Sequence, residues 1–486
     1  MRLISTFDLL LPENRQDILD TIRSTLGYIL INADGKAIHP GSRSYERSWI
    51  RDGSLTATAL LRFGVHSPAR EFVEWYAPHQ YDDGKVPCVV DHRGPDPLSE
   101  HDSHGQLIMA IMNVYRFTGD VEFLRRHAAN VELAVRYIER IRAQRMTPEY
   151  ADAQTQSTRQ ELNKPPVGLH AFYGLVPESV SHEGYSAKPM HSYWDDFFVL
   201  KGLKDAAAMM RVLERPDQAA RYQTLADDFA ATLYQSLEAA RIAHGIDYLP
   251  GCVELGDFDA ASTSIALWPC GEAHRLPRQA LERTFERYWD EFVKRRDDPN
   301  FDWFAYTPYE VRVIGSLNLL DQPERAQQAM EFFLKDRRPV PWNQWPEVVF
   351  RNPRTPRLLG DLPHTWCGSD FINSVRMMFL HEREHDESLV LLAGVPRGWV
   401  STEPIGFRDM PTYFGRITCT LARDEQSASR LLAQLSGSCP VPSGGIRLTC
   451  PLGPVRRALV NGEPAPLDAE GRVEIGSLPA KVEIDL

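Results

Sequence analysis

The sequence predicts a mainly α protein built of stacked helical hairpins, followed by a small antiparallel β domain. Three observations carry this reading. From about Asn14 to Glu384, apolar residues recur at three- and four-residue spacing in about a dozen successive segments. The loops between these segments alternate between short and long, which suits helical hairpins packed side by side. After roughly Asp386 the pattern changes to short strand-like runs broken by turn residues.

The helical segments follow in order. "QDILDTIRSTLGYIL" comes first, and Leu55, Ala59, Leu60 and Phe63 mark the next apolar face. "DSHGQLIMAIMNVYRF", "VEFLRRHAANVELAVRYIERI", "DDFFVLKGLKDAAAMMRVL", "DQAARYQTLADDFAATLYQSL" and "RQALERTFERYWDEFVKR" repeat the period with weak similarity to one another. The strands are expected in "SLVLLAGVP", "TYFGRITCTLARD", "SRLLAQLSG", "GIRLTCPLG", "RRALVNG", "GRVEIGSL" and "AKVEIDL", with turns at Asn461-Gly462 and Ser443-Gly444-Gly445. The expected division is a helical domain over 1–385 and a β-sandwich over 386–486. A chain of 486 residues exceeds what one hydrophobic core usually serves, which agrees with two domains.

Composition narrows the partners. With 43% hydrophobic and 25% charged residues, the chain reads as an ordinary globular protein. The net charge is -12 with both signs interspersed, which argues against nucleic acid or an anionic membrane and favours a neutral or small ligand. Seven scattered cysteines with no CxxC pair suggest free thiols in a reducing compartment, and no structural zinc. The N-terminal "MRLISTFDLLLPENRQ" lacks a secretion-signal pattern, and no apolar run approaches the roughly 20 residues that span a bilayer. The expectation is a cytoplasmic protein; the sequence leaves open whether it forms a homodimer. No GxGxxG, P-loop, GxSxG or HExxH motif is present, so neither a nucleotide cofactor nor serine hydrolysis is indicated, and no cofactor is expected.

Long loops at 82–100, 148–194, 243–261, 297–308 and 337–366 hold most of the unusual residues. Loops on a rigid helical scaffold are where binding and catalytic groups concentrate. In "RSYERSWIRDGSL", Tyr45 and Trp49 offer flat faces to a sugar ring, and Arg51 and Asp52 offer hydrogen bonds to its hydroxyls. Asp52 is equally suited to cap the following helix. In "HSYWDDFF", Tyr193 and Trp194 flank Asp195 and Asp196, and an acid shielded by aromatics has its pKa raised toward neutrality. Either Asp fits the role of proton donor, and both fit a helix start as well. Glu178 and Glu183, in the same loop, are weaker candidates.

The third constellation is "PVPWNQWPEVVFRNPRTPRLLGDLPHTWCGSDF", with Trp342, Asn343, Gln344, Trp345 and Glu347 followed by Arg351, Arg354, Arg357, Asp361, His364 and Trp366. Polar groups among aromatics need partners, and a sugar supplies them. Glu347 is the candidate second carboxylate, its bland alternative a surface ion pair with one of the arginines. Smaller signals are Glu100, His101, Asp102 and His104, with Asp102 or Ser103 as the expected helix cap; Asp257, Asp259 and Ser262; and Trp303, Tyr306, Tyr309 and Glu310.

Helices, then aromatic and carboxylate loops, then a β domain: the chain resembles the (α/α)6-barrel glycoside hydrolases, which include glucoamylases, trehalases and glycogen-debranching glucosidases. "SWIRDGSLTATAL" looks like the Arg-Asp motif early in those barrels, "YWDD" is similar to the element bearing the general acid of the trehalase-like branch, and "QWPEVV" to the one bearing its general base. "NPRTPRLLGDLPHTWCGSDFINSVR" with "LAGVP" resembles bacterial glycosidase-like proteins often joined to discoidin-type domains. The resemblance implies an (α/α)6 toroid and assigns Asp195 as acid and Glu347 as base of an exo-acting, inverting glycosidase on an oligosaccharide or glycoside. Trp49, Arg51, Asp52, Tyr193, Trp194, Asp196, Trp345, Asp361, His364 and Trp366 are then the substrate-binding set. Inversion needs a proton donor and a base roughly 6.5–9.5 Å apart with a water between. Rival readings are an (α/α)6 epimerase, lyase or phosphorylase, in which His104, His191 or His364 would matter more than Glu347, and a carbohydrate-binding protein without chemistry.

Overall fold

The computed structural model describes residues 7–152, 155, 167–352, 355 and 360–486. Twelve helices form the ring: α1 (Gln16–Asn32), α2 (Ile50–Arg62), α3 (His66–Tyr76), α4 (Asp102–Thr118), α5 (Val121–Arg142), α6 (Tyr193–Val212), α7 (Pro216–His244), α8 (Ala260–Leu267), α9 (Arg278–Asp297), α10 (Arg312–Leu319), α11 (Pro323–Lys335) and α12 (Thr365–Phe379). Their limits follow local chemistry. Pro216 and Pro323 open α7 and α11, where a missing N–H costs nothing. Gly119 and Gly245 close α4 and α7 in the left-handed conformation, and the Asp120 carboxylate caps α5 through the Phe123 N–H at 3.0 Å.

The even-numbered helices form the inner ring. α2 packs on α4, α4 on α6, α6 on α8, α8 on α10, α10 on α12, and α12 returns to α2. Every residue of α2 and α12 is buried, whereas the outer α9 buries only Ala280, Leu281, Thr284, Phe285, Tyr288 and Phe292, a one-sided stripe. The tightest inner crossing pairs Gly105 of α4 with Gly202 of α6. A Cβ on Gly105 would stand 1.8 Å from the Phe198 carbonyl oxygen, so only glycine permits this approach.

α12 runs directly into the β domain through strand Leu380–Arg383, which pairs antiparallel with Ser388–Leu391. That strand pairs in parallel with Ile446–Leu448, and Val473–Ile475 completes a four-stranded sheet. A seven-stranded antiparallel sheet lies beside it, with Gly415–Asp424, Ser427–Gly437 and Ala480–Asp485 at its centre. Its edge strand is Asp8–Leu10, paired with Gly406–Arg408, so the chain's start contributes to the β domain before the ring begins. Along Ser427–Gly437 the buried residues Leu431, Ala433 and Leu435 alternate with accessible ones, the two-residue period of a sheet with one face inward. The buried faces of both sheets join the ring in one continuous hydrophobic core.

All seven cysteines are buried and unpaired, and no helix among the described residues is long and apolar enough to cross a membrane.

Candidate active site

The starts of the inner helices converge at the end of the ring opposite the β domain. Two short ladders shape the rim: Ser48–Trp49 pairs with Val89–Val90, and Ala305–Tyr306 with Val349–Phe350. Between them lies a cleft enclosing about 240 Å³, lined by Tyr45, Trp49, Arg51, Asp52, Glu183, Tyr309, Glu347, His364 and Trp366.

Glu347 is half-buried and doubly held. The Tyr45 hydroxyl donates to its Oε2, and the Tyr309 hydroxyl donates to its Oε1 at 2.9 Å. Gly360 presses against the same side chain; a Cβ there would lie 2.7 Å from Glu347 Oε2, and its φ of +68° already favours glycine. Asp361 sets Tyr45 in place by accepting from the backbone N–H groups of Arg43, Ser44 and Tyr45 at 2.8, 3.0 and 2.8 Å. Burial alone raises a carboxyl's pKa, yet these backbone donors hold Asp361 below its ordinary value.

Asp52 lies in the first turn of α2, whose cap position is taken by Trp49 without a side-chain bond, so Asp52 is no cap. It faces the cleft with Arg51 3.8 Å away. Burial pushes its carboxyl up to about 7; Arg51 opposes the shift, while Glu183 and Glu347 add to it. Asp52 therefore sits in the field of both glutamates. Arg51 is bound to Glu100 at 3.4 Å and Glu183 at 3.9 Å, and its guanidinium lies over the Trp366 ring at 5.1 Å. The buried Trp366 Nε1 has no hydrogen-bond partner among the described residues.

A prediction follows for Asp52. Its folded pKa near 7 exceeds the unfolded value of about 3.9, so the stability it contributes is present below about pH 4 and lost as pH rises toward 7. Asp52→Asn is expected to unfold at higher temperature than the parent at pH 7.5, to lack that part of the pH dependence, and to lose at least about tenfold in kcat/KM. Equal or lower stability of the variant at pH 7.5, by thermal denaturation, would show that Asp52 is not held at a cost.

Glu183 completes the cleft from the loop before α6. Its carboxylate, about half exposed, accepts from Trp49 Nε1 at 3.1 Å. The loop is strained, with φ of +52° at Ser181 and +63° at Glu183. Asp195 holds it: its Oδ2 accepts from Ser179 Oγ at 2.5 Å and from the His101 N–H at 3.4 Å, and its Oδ1 accepts from Ser181 Oγ at 2.8 Å. Asp195 is fully buried and does not line the cleft; burial, then Asp102, push its carboxyl up to about 7. Asp196, also fully buried, accepts from the Val176 N–H at 3.2 Å, and burial raises it well above its ordinary value.

The other expected residues divide. Trp194 donates to Asp102 Oδ2 at 2.7 Å and stacks on His182 at 4.7 Å, behind the cleft wall. Tyr193 turns toward α7, its hydroxyl 2.9 Å from Ser236 Oγ. Trp345 is a core residue, donating to the Phe333 carbonyl at 3.0 Å and packing on Phe371. Asn343 and Gln344 hold loop backbone and Arg337, and Arg351 binds the carbonyls of Pro299 and Phe301. Arg354 and Arg357 lie outside the described residues.

α4 begins at Asp102 with His101 as its cap, not Asp102 or Ser103. Asp259 caps α8 through Ser262 N, and Glu310 pairs with Arg295 and Tyr288, so these carboxylates are spent on structure. Of the histidines, His104 accepts from the Val86 N–H and His191 is bound to Glu254, both away from the cleft. Only His364 of these three lines it, and burial lowers its pKa to about 3, leaving it neutral at physiological pH.

No family model matches the chain. It is 32% identical over 114 residues to an uncharacterized glycosyl hydrolase of Methanocaldococcus jannaschii, a stretch covering 23% of this chain and 18% of that one. Among solved structures, an α-L-rhamnosidase from Dictyoglumus thermophilum aligns with 99% of this chain and 50% of its own, with a TM-score of 0.61 at 12% identity. A Streptomyces avermitilis α-L-rhamnosidase, solved with L-rhamnose, aligns with 99% and 42%, with a TM-score of 0.57 at 13% identity. A wild-type glycosidase aligns over 76% of this chain and 99% of its own, with a TM-score of 0.51 at 15% identity, and a variant glycosidase solved in complex with glucose gives a TM-score of 0.50. This chain thus spans half or less of the two rhamnosidases. The likeness shows that it has the fold of the (α/α)6-barrel glycoside hydrolases, a helical ring with a C-terminal antiparallel β domain.

Proposed function

We propose that the protein is an exo-acting, inverting glycosidase in which Glu347 is the general base, Glu183 the general acid, and Asp52, Arg51, Trp49, His364 and Trp366 bind the terminal sugar. One observation carries the reading: Glu347, held by two phenols, shares a single cleft with Glu183, and Asp52 lies in the field of both. Glycoside hydrolysis needs such a pair, one carboxyl to protonate the leaving oxygen and one carboxylate to act on the opposite side.

The roles follow from surroundings. Tyr45 and Tyr309 donate to Glu347, which favours its ionised form and fixes its orientation, as activation of a water requires. Glu183 stands at the mouth, where a leaving group departs toward solvent. Asp195, the acid implied by the resemblance, is here a positioning residue, since both its oxygens are spent on the serines that hold the Glu183 loop. The buried Trp366 N–H and the Asp52 carboxylate are a donor and an acceptor for sugar hydroxyls, and the indole face of Trp49 packs the ring. Because the ring of helices is closed and the β domain covers its far end, a chain end enters the funnel but an internal stretch has no way through, which supports exo action.

The acidic overall charge and the neutral His364 favour an uncharged glycoside. The buried free thiols support a reducing, cytoplasmic setting. The test is an NMR time course with α- and β-linked gluco-, galacto-, manno- and L-rhamno-glycosides, with and without phosphate. The expected result is a monosaccharide released first as the anomer opposite to the bond cleaved, at a rate indifferent to phosphate. Release with retained anomeric configuration would remove Glu347 from the role of base, and turnover only with phosphate would make the protein a phosphorylase.

A further inference from the structure

A second and larger cavity, enclosing about 1870 Å³, lies at the opposite end of the ring, between the ends of α4 and α6 and the β domain. Its floor is a buried charge network. The Lys201 ammonium donates to Asp205 Oδ1 at 2.9 Å and to Glu384 at 2.7 Å, and Arg116 reaches Asp205 at 2.7 Å and Glu384 at 3.3 Å. Asp205 lines the cavity and is 1% exposed, yet its Oδ2 has no hydrogen-bond partner among the described residues. A buried carboxylate oxygen left without a donor is costly, so this atom points to a hydroxyl arriving from the cavity.

The rim supplies the opposite need. Arg211 is exposed and meets only Gln223 Oε1, at 3.3 Å. Arg275 is also exposed and lies over the Tyr234 ring at 5.3 Å, with no carboxylate within ion-pair distance among the described residues. The cavity's carboxylates are meanwhile engaged: Glu272 by Lys204 and Tyr234, Glu382 by Arg376, and Glu387 by Ser443 at 2.5 Å. Tyr413 and Phe414 give the wall an apolar face.

We propose that this cavity is a second ligand site, distinct from the catalytic cleft, for a sugar bearing a phosphate monoester. A ring hydroxyl donates to Asp205 Oδ2, the ring lies on the Tyr413–Phe414 wall, and Arg211 and Arg275 hold the dianion. Two guanidinium groups match a phosphate in charge and in donor geometry. An apolar wall with a few convergent polar groups is the usual make-up of a small-molecule site.

The test is isothermal titration of the whole chain with glucose 6-phosphate, glucose and inorganic phosphate, repeated on the rim variant Arg211→Ser/Arg275→Ser and on the cleft variant Glu347→Gln. Both rim residues are exposed, so the rim variant is expected to fold as the parent does. Glucose 6-phosphate is expected to bind parent and Glu347→Gln alike, at least about tenfold tighter than either glucose or phosphate, and to lose at least about tenfold in the rim variant. No heat with glucose 6-phosphate at millimolar concentration would overturn the proposal. So would phosphate binding as tightly as the sugar phosphate, or binding that survives in the rim variant and vanishes in the cleft variant.

Discussion

Glu347→Gln is expected to lower kcat by roughly 10²–10⁴-fold on every glycoside the protein cleaves, with substrate binding retained. The amide keeps the size of the side chain and its contact with Gly360, but it no longer takes a proton from water. Glu183→Gln is expected to behave differently. A leaving group of low pKa, such as a nitrophenolate, departs without protonation, so this variant should lose a similar factor on alkyl glycosides and oligosaccharides while losing far less on nitrophenyl glycosides. Asp195→Asn separates the two roles proposed for that loop. As a positioning residue it should lower kcat by a similar, smaller factor on both kinds of substrate, because the loop of Ser179, Ser181 and Glu183 loosens whatever the leaving group. A leaving-group dependence in Asp195→Asn, together with near-normal turnover of oligosaccharides by Glu183→Gln, would return the acid to Asp195.

Much of the architecture was legible because it rests on local signals. The 3.6-residue period marks the helices, the change to two-residue alternation marks the β domain, and the prolines and glycines mark ends. The strand Asp8–Leu10 was not legible: three residues ahead of a helix show no period, and their place is fixed by a partner strand about 400 residues away in sequence.

The cleft was legible in part. Trp49, Arg51, Asp52, Glu347, His364 and Trp366 all line it, and each stands in or beside the first turn of an inner helix or on a rim ladder. Periodicity says that a residue is inside the ring, but inner helices are buried on all sides, so it does not say whether a side chain faces the axis or a loop. Asp195 and Asp196 illustrate this. They are adjacent on α6, yet Asp195 turns under the loop of Ser179 and Ser181 and Asp196 toward Val176. Trp345 fails for the complementary reason: two positions from Glu347, it points into the core against Phe371 while Glu347 meets two tyrosines. The contribution of Tyr45 to Glu347 spans about 300 residues, and the place of Glu183 depends on positive φ angles that its own sequence does not announce. The available signal was chemical: Glu183 sits in a long loop ahead of an inner helix, with His182 and Tyr185 beside it.

Arg376→Ala is expected to be the most destabilising single change at the junction of ring and β domain. Arg376 is fully buried near the end of α12. It meets Glu382 through both Nη atoms at 2.6 and 2.8 Å and donates to the carbonyls of Leu380 and Pro411 at 3.1 and 2.9 Å. Glu382 has one other cation, Arg62 at 3.6 Å, itself stacked on Trp268. Removing Arg376 strands a buried carboxylate and two carbonyls, at a cost of about 3–5 kcal/mol. The double variant Arg376→Met/Glu382→Met removes both charges and keeps the volume, so it should regain most of that loss, because an apolar pair needs no desolvation to be offset. The same pair sets an acid limit. Burial alone would raise Glu382, but Arg376 and then Arg62 hold it below its ordinary value. The stability it contributes is therefore present above about pH 4.3 and lost as pH falls below that. Urea denaturation followed by tryptophan fluorescence and by far-ultraviolet circular dichroism should show one transition in the parent, since one core joins ring and β domain, at a midpoint lowered in Arg376→Ala and largely restored in the double variant. An unchanged midpoint in Arg376→Ala would mean that Arg62 alone satisfies Glu382 and that this ion pair does not hold the two parts together.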